Sequence, residues 1–129
     1  MRKIIDPGTD TGLDEEANFN LATTDGDLVF LSGQVPETED GELLRNAPLK
    51  QQTDQCLQNL TSVLEAEGLG TEHILKTRIY VVDIQHYDEV NEAYGEYFDK
   101  YPARTFIGVT GLFGGVDIEI EATATTGDQ

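Results

Sequence analysis

Apolar residues recur along this chain in two distinguishable rhythms. Between residues 48 and 67, Leu49, Cys56, Leu57, Leu60, Val63 and Leu64 return at intervals of three and four, the spacing that lines one face of an α-helix. Pro48 suits the first turn of that helix, and Gly68 suits the left-handed position that closes it. A second helix is predicted over residues 86–100, aligning Val90, Tyr94, Tyr97 and Phe98 and stopped by Pro102. Elsewhere the pattern is that of strands. Residues 74–82 alternate, with Leu75, Thr77, Ile79 and Val81 on one face. Further strands are predicted over residues 2–6, 19–24, 28–31 running into Ser32-Gly33-Gln34, 104–110 and 116–125. Asp25-Gly26-Asp27 is a turn signal, and Gly111-Leu112-Phe113-Gly114-Gly115 joins the last two strands. Residues 7–12 are rich in turn formers and lead into Asp14-Glu15-Glu16. Residues 36–46, with Asp40-Gly41, read as a loop or hairpin connection.

The resulting order, β-β-β-α-β-α-β-β, predicts an α+β fold with both helices on one face of one sheet. The opposite face is polar: Asp117, Glu119 and Glu121 on the last strand, Lys76 and Arg78 on the middle one. Such a face is either solvated or buried against other subunits with its charges paired across strands. With 129 residues the chain is read as one domain spanning 1–129, long enough to bury a core without disulfides or metal.

Charge narrows the possible partners most. Asp and Glu number 25 against 8 Lys and Arg, a formal net charge of −17. The acids are spread along the chain, so they describe an acidic surface over an ordinary core. Such a surface repels itself at low ionic strength, and 1 M salt relieves the repulsion by shortening the Debye length to about 3 Å. Adaptation to a salty cytoplasm, as in a halophile, is the expectation. Nucleic acid is an unfavoured partner, because its affinity comes largely from clustered Lys and Arg and none are clustered here. The single cysteine, Cys56, cannot form an internal disulfide and falls on the apolar helix face. No apolar run approaches the ~20 residues of a membrane span and the N-terminus lacks a signal-peptide core, so a cytoplasmic location without membrane contact is expected. His73 and His86 lie at element boundaries and make a poor metal site, and no histidine motif would activate Ser32 as a nucleophile.

The candidate chemistry lies in two late segments, Tyr101-Pro102-Ala103-Arg104-Thr105 and Val116-Asp117-Ile118-Glu119-Ile120-Glu121. An arginine grips a planar carboxylate with two parallel charge-assisted hydrogen bonds. A glutamate can position or activate a water. Together Arg104 and Glu119 point to a small anionic substrate and a hydrolytic step. Plainer readings stay open: Arg104 in an ion pair with the acidic strand, Glu119 in a solvated acidic stripe, Ser32-Gly33 as a strand exit, Asn91 as a polar residue early in a helix.

Five fragments in order and spacing carry a resemblance over nearly the whole chain: Leu31-Ser32-Gly33-Gln34-Val35-Pro36, Val81-Val82-Asp83, Val90-Asn91-Glu92-Ala93-Tyr94, Tyr101-Pro102-Ala103-Arg104 and Val116-Asp117-Ile118-Glu119-Ile120-Glu121-Ala122. In these the chain resembles the RidA (YjgF) family of reactive-intermediate deaminases. The resemblance implies a chorismate-mutase-like fold and a homotrimer with ligand clefts between subunits. It implies hydrolysis of 2-enamine and 2-imine acids, released by pyridoxal-phosphate enzymes, to 2-keto acids and ammonia, an activity of the 2-iminobutanoate/2-iminopropanoate type needing no metal or organic cofactor. It assigns Arg104 to the substrate carboxylate and Glu119 to the attacking water, with Ser32, Gly33 and Asn91 lining the pocket. Phe19 stands where the better-known members carry a tyrosine, and Phe106 where they carry a cysteine; both are read as substrate-binding. Alternation puts Phe106 on the strand face of Arg104, narrowing the cleft beside the guanidinium. The same residues would serve a non-catalytic trimer that binds small carboxylates or acts as a chaperone. Ribonuclease activity, also attached to the family, is disfavoured by the missing basic surface.

Overall fold

A computed structural model describes residues 3–5 and 18–129; the turn-rich residues 7–12 and the acids Asp14, Glu15 and Glu16 lie outside the described residues. Among the described residues six strands form one sheet: β1 (Lys3–Ile5), β2 (Ala22–Thr24), β3 (Leu28–Gln34), β4 (Ile74–Val81), β5 (Ala103–Gly108) and β6 (Ile118–Thr125), in the spatial order β1-β2-β3-β6-β4-β5. Helix α1 (Leu49–Glu65) follows β3, and α2 (Tyr87–Gly95) lies between β4 and β5. Every neighbouring pair is antiparallel except β4 and β5, which the α2 crossover leaves parallel. The expected element order and chorismate-mutase-like α+β architecture are therefore present.

Local chemistry sets the joints. The Asp25 carboxylate accepts from the backbone N–H groups of Asp27 and Leu28, which closes the β2–β3 turn around Gly26 at φ +105°. Both hydrogen bonds hold that carboxyl below its usual pKa. Helix α1 ends in a pair of backbone bonds, Leu69 N–H to Leu64 and Gly68 N–H to Glu65, around Gly68 at φ +72°. Its apolar stripe of Cys56, Leu57, Leu60, Val63 and Leu64 is buried with Val29, Leu31, Ile79, Val81, Ile118 and Ile120 of the sheet. Burial pushes the Cys56 thiol pKa well up, so it behaves as core.

Several expected details differ. On β4 it is Ile74 that is buried, while Leu75 is 45% exposed; the β4–β6 register shifts between Ile74 and Lys76, and only Thr77, Ile79 and Val81 keep the expected alternation. Strand β2 begins three residues later than predicted, leaving Phe19 outside it and 53% exposed. Helix α2 stops at Gly95, yet Phe98 beyond it is still buried and rests on Tyr94, with ring centroids 4.8 Å apart. Tyr97, also past the helix, donates to the Asp54 carboxylate of α1. Asp117 does not join the polar sheet face. Its carboxylate accepts from the Gln52 side-chain amide at 2.8 Å and its N–H donates to the Gln52 carbonyl at 3.0 Å, tying the entry of β6 to α1. Glu119, Glu121, Lys76 and Arg78 do keep to the half-covered face that neither helix touches. Among the described residues no helix is long and apolar enough to cross a membrane.

Candidate functional site

Arg104 lies second on β5, beside Thr77 of β4. Thr77 is buried on the helix face, so its in-register neighbour Arg104 also points to the helix side, under α2. There Nη1 donates to Asn91 Oδ1 at 2.6 Å and Nη2 donates to the Tyr87 hydroxyl at 2.7 Å. Tyr87 and Asn91 are one helical turn apart and Tyr94 almost two, so a single stripe of α2 supplies all three. The guanidinium carbon stands 4.9 Å from the Tyr94 ring centroid, 5.3 Å from Tyr87 and 5.9 Å from Phe106. Tyr94 is itself fixed by a 2.8 Å hydrogen bond between its hydroxyl and Thr77. Phe106 is thus beside the guanidinium, as alternation predicts, and Tyr87 meets it edge-on with centroids 5.0 Å apart. Both hydrogen-bonding partners of Arg104 are neutral, and no carboxylate among the described residues pairs with it. The structural ion pair with the acidic strand is not formed.

Glu119 lies on the other side of the sheet. Its register partner on β4 is Tyr80, which shares the face of Arg78 and is three positions from Thr77. An odd separation along a strand means opposite faces, so Arg104 and Glu119 of one chain are back to back. Glu119 is half-buried, and its pKa is raised above 4.5, first by burial and then by the charge of Glu121 two residues on. Glu121 in turn accepts a hydrogen bond from Tyr80. The β3–β6 register shifts between Leu31 and Gln34, which places Ser32 and Gly33 in an irregular stretch of β3. Gly33 lies directly against Glu119: a Cβ there would meet Glu119 Oε2 at 2.6 Å, so any larger residue would displace the carboxylate from this position. Ser32 donates its hydroxyl proton to Asn20 at 2.6 Å, joining β3 to the segment that carries Phe19.

The predicted site residues therefore sort into two groups within a chain. Arg104, Asn91 and Phe106 meet under α2. Glu119 and Gly33 meet along β6 and β3 on the other side, next to Ser32, whose partner Asn20 is preceded by the exposed Phe19. Tyr87 and Tyr94 were missing from the sequence-based set. Their signal was the stripe 87-91-94 running through Asn91, with an aromatic at each end.

Comparison with known proteins is consistent along the whole length. The family model described as Endoribonuclease L-PSP matches residues 9–126. Protein HMF1 of Saccharomyces cerevisiae is 37% identical over 113 residues, 87% of each chain. Among solved structures, the YjgF gene product of E. coli superposes with a TM-score of 0.86 at 30% identity, covering 97% of this chain and 99% of that one. E. coli TdcF, solved with bound serine, gives a TM-score of 0.87 at 29% identity over 97% and 99%. The chain belongs to the RidA (YjgF) family, the family of the L-PSP model.

Proposed function

We propose that this protein is a cofactor-free deaminase that hydrolyses 2-imino and 2-enamino acids to 2-keto acids and ammonia. The carrying observation is Arg104. In a chain with 25 acidic residues its guanidinium is kept on neutral partners and aromatic faces, which leaves its charge for a ligand. Serine bound to the related TdcF, an amino-acid-sized carboxylate, supports the same substrate class. Because Arg104 and Glu119 face apart within a chain, the reading needs a second copy: the Arg104 cluster of one subunit opposite the Glu119 cluster of the next, in a homotrimer.

The chemistry follows from these groups. Arg104 holds the substrate carboxylate through N–H groups not used by Asn91 and Tyr87. Glu119, as the anion, accepts a proton from a water that attacks the protonated imine carbon, giving a carbinolamine. Returning that proton to the amine nitrogen, while the carbinolamine hydroxyl gives its own proton to the carboxylate, lets the C–N bond break: the nitrogen leaves with its electron pair as ammonia and the oxygen closes the ketone C=O. Burial and Glu121 make Glu119 a stronger base than an ordinary carboxylate, moving its pKa toward working pH. The direct test is 2-keto acid formation from freshly generated 2-imino acids in molar salt. A folded, assembled protein that turns over none of them, across several side-chain sizes, sinks the reading in favour of a binding protein. The endoribonuclease in the family name draws no support from this chain: His73 accepts from the Gly70 N–H and His86 sits between Asp83 and Glu89.

Two further outcomes are expected. Since Glu119 works as the anion and its pKa is raised, kcat/KM should fall as acid protonates it, on a limb above pH 4.5. Glu121→Gln removes the neighbouring charge and should move that limb to lower pH. The shift between the two proteins is the readout, because protonation of the imine itself is common to both. A limb that stays in place argues against Glu119 as the base. Salt should act in the opposite sense to an ordinary charged-ligand enzyme. The substrate is an anion approaching a surface of −17 per chain, so kcat/KM should rise severalfold between 0.1 and 1 M salt, as the Debye length falls from about 10 to about 3 Å. A flat or falling profile, with the assembly intact throughout, would count against it.

A further inference from the structure

We propose that Tyr87 is a second carboxylate-recognising residue, its hydroxyl donating a hydrogen bond to the substrate carboxylate beside Arg104. The inference rests on Arg104 being the carboxylate anchor and adds a residue to it. The Tyr87 oxygen accepts from Arg104 Nη2 at 2.7 Å. A guanidinium has five donors and no acceptor, so the hydroxyl cannot return its own proton to it. Among the described residues that proton meets no acceptor, and Tyr87 is 41% exposed.

The ring is held where this would work. It begins α2, one turn before Asn91, and its edge-to-face contact with Phe106, at 5.0 Å and 73°, limits its swing. Asn91 and Tyr87 use one N–H on each terminal nitrogen, leaving three donors on the guanidinium. A carboxylate that takes two of those in parallel brings one oxygen to the side of the fork that Tyr87 flanks. The ligand then gains a third charge-assisted hydrogen bond, from a donor whose own oxygen is already polarised by a cation. This gives the hydroxyl a reason to be there that pinning the arginine does not, since Asn91 and three aromatic rings already do that.

Tyr87→Phe separates the two roles, because it keeps the ring, its contact with Phe106 and the face it offers to Arg104. The dissociation constant of 2-oxobutanoate, measured by calorimetry on the assembled protein in molar salt, should rise about tenfold, the worth of one hydrogen bond to a charged group. The infrared antisymmetric stretch of 2-oxobutanoate labelled with carbon-13 at its carboxylate should also move between wild type and variant. Weaker binding with an unmoved band would mean that Tyr87 only steadies the guanidinium, which overturns the proposal. Unchanged affinity in Tyr87→Phe, with binding lost in Arg104→Ala, overturns it too and leaves the anchor standing. If Arg104→Ala binds as tightly as wild type, the anchor reading itself fails and this inference with it.

Discussion

Arg104→Ala should lower kcat/KM for a 2-imino acid by about a thousandfold while the protein stays folded. Two charge-assisted hydrogen bonds to a carboxylate are worth about 1.5–3 kcal/mol each, and a thousandfold is about 4 kcal/mol. The loss should fall on both KM and kcat, because the anchor fixes where the imine carbon sits relative to the water. Stability should change little. The two groups that bond Arg104, Asn91 and Tyr87, are both exposed, so the variant leaves no buried polar atom without a partner. Loss of the cation–π contacts is worth about 1 kcal/mol. The measurement is 2-keto acid formation in molar salt, beside a melting curve for each protein. Turnover retained in a folded Arg104→Ala protein would remove the mechanism, since no other cation among the described residues stands in this cluster. Lysine at the same position would be a poor rescue, as it lacks the planar fork that Asn91 and Tyr87 engage.

Much of this was legible in the sequence, for reasons that particular residues show. Helix α1 announces itself because an apolar stripe at helical spacing has one way to be buried, and Gly68 marks its end at the position that needs positive φ. Phe106 beside Arg104 followed from strand alternation alone. Leu75 was misplaced because a register shift breaks that alternation, and nothing in a local pattern announces a shift imposed by the neighbouring strand. Asp117 was misplaced for a related reason: a buried glutamine on a distant helix outcompetes the strand's own face. The second hydrogen-bonding partner of Arg104 was missed because Tyr87 opens α2, where a tyrosine reads as an exposed helix start. Least legible was the relation between Arg104 and Glu119. Two late segments close in sequence look like one site, yet β4 stands between their strands and the pleat turns them to opposite faces.

That back-to-back arrangement leads to the sharpest expectation. Arg104→Ala and Glu119→Ala proteins, each inactive alone, should recover about a quarter of wild-type activity when unfolded together in equal amounts and refolded. In a ring built from one repeated interface, sites shared between copies would each draw the Arg104 cluster from one copy and the Glu119 cluster from the next. At random assembly the chance that the first copy has kept Arg104 is one half, and that the second has kept Glu119 is one half, so about a quarter of the sites are whole. Were both groups supplied by the same chain, every site in the mixture would lack one of them and activity would stay at the level of the parents. The register of β4 with β5 and with β6 rules out a small adjustment that brings them together, because a side chain cannot cross the sheet without slipping a strand by one residue and exposing its core face. Refolding the variants separately and mixing them afterwards, without exchange, supplies the control. Recovery in the co-refolded sample alone would place the reacting centre between copies; no recovery, in a mixed assembly shown to contain both chains, would leave Arg104 without Glu119 and the hydrolytic reading without its base.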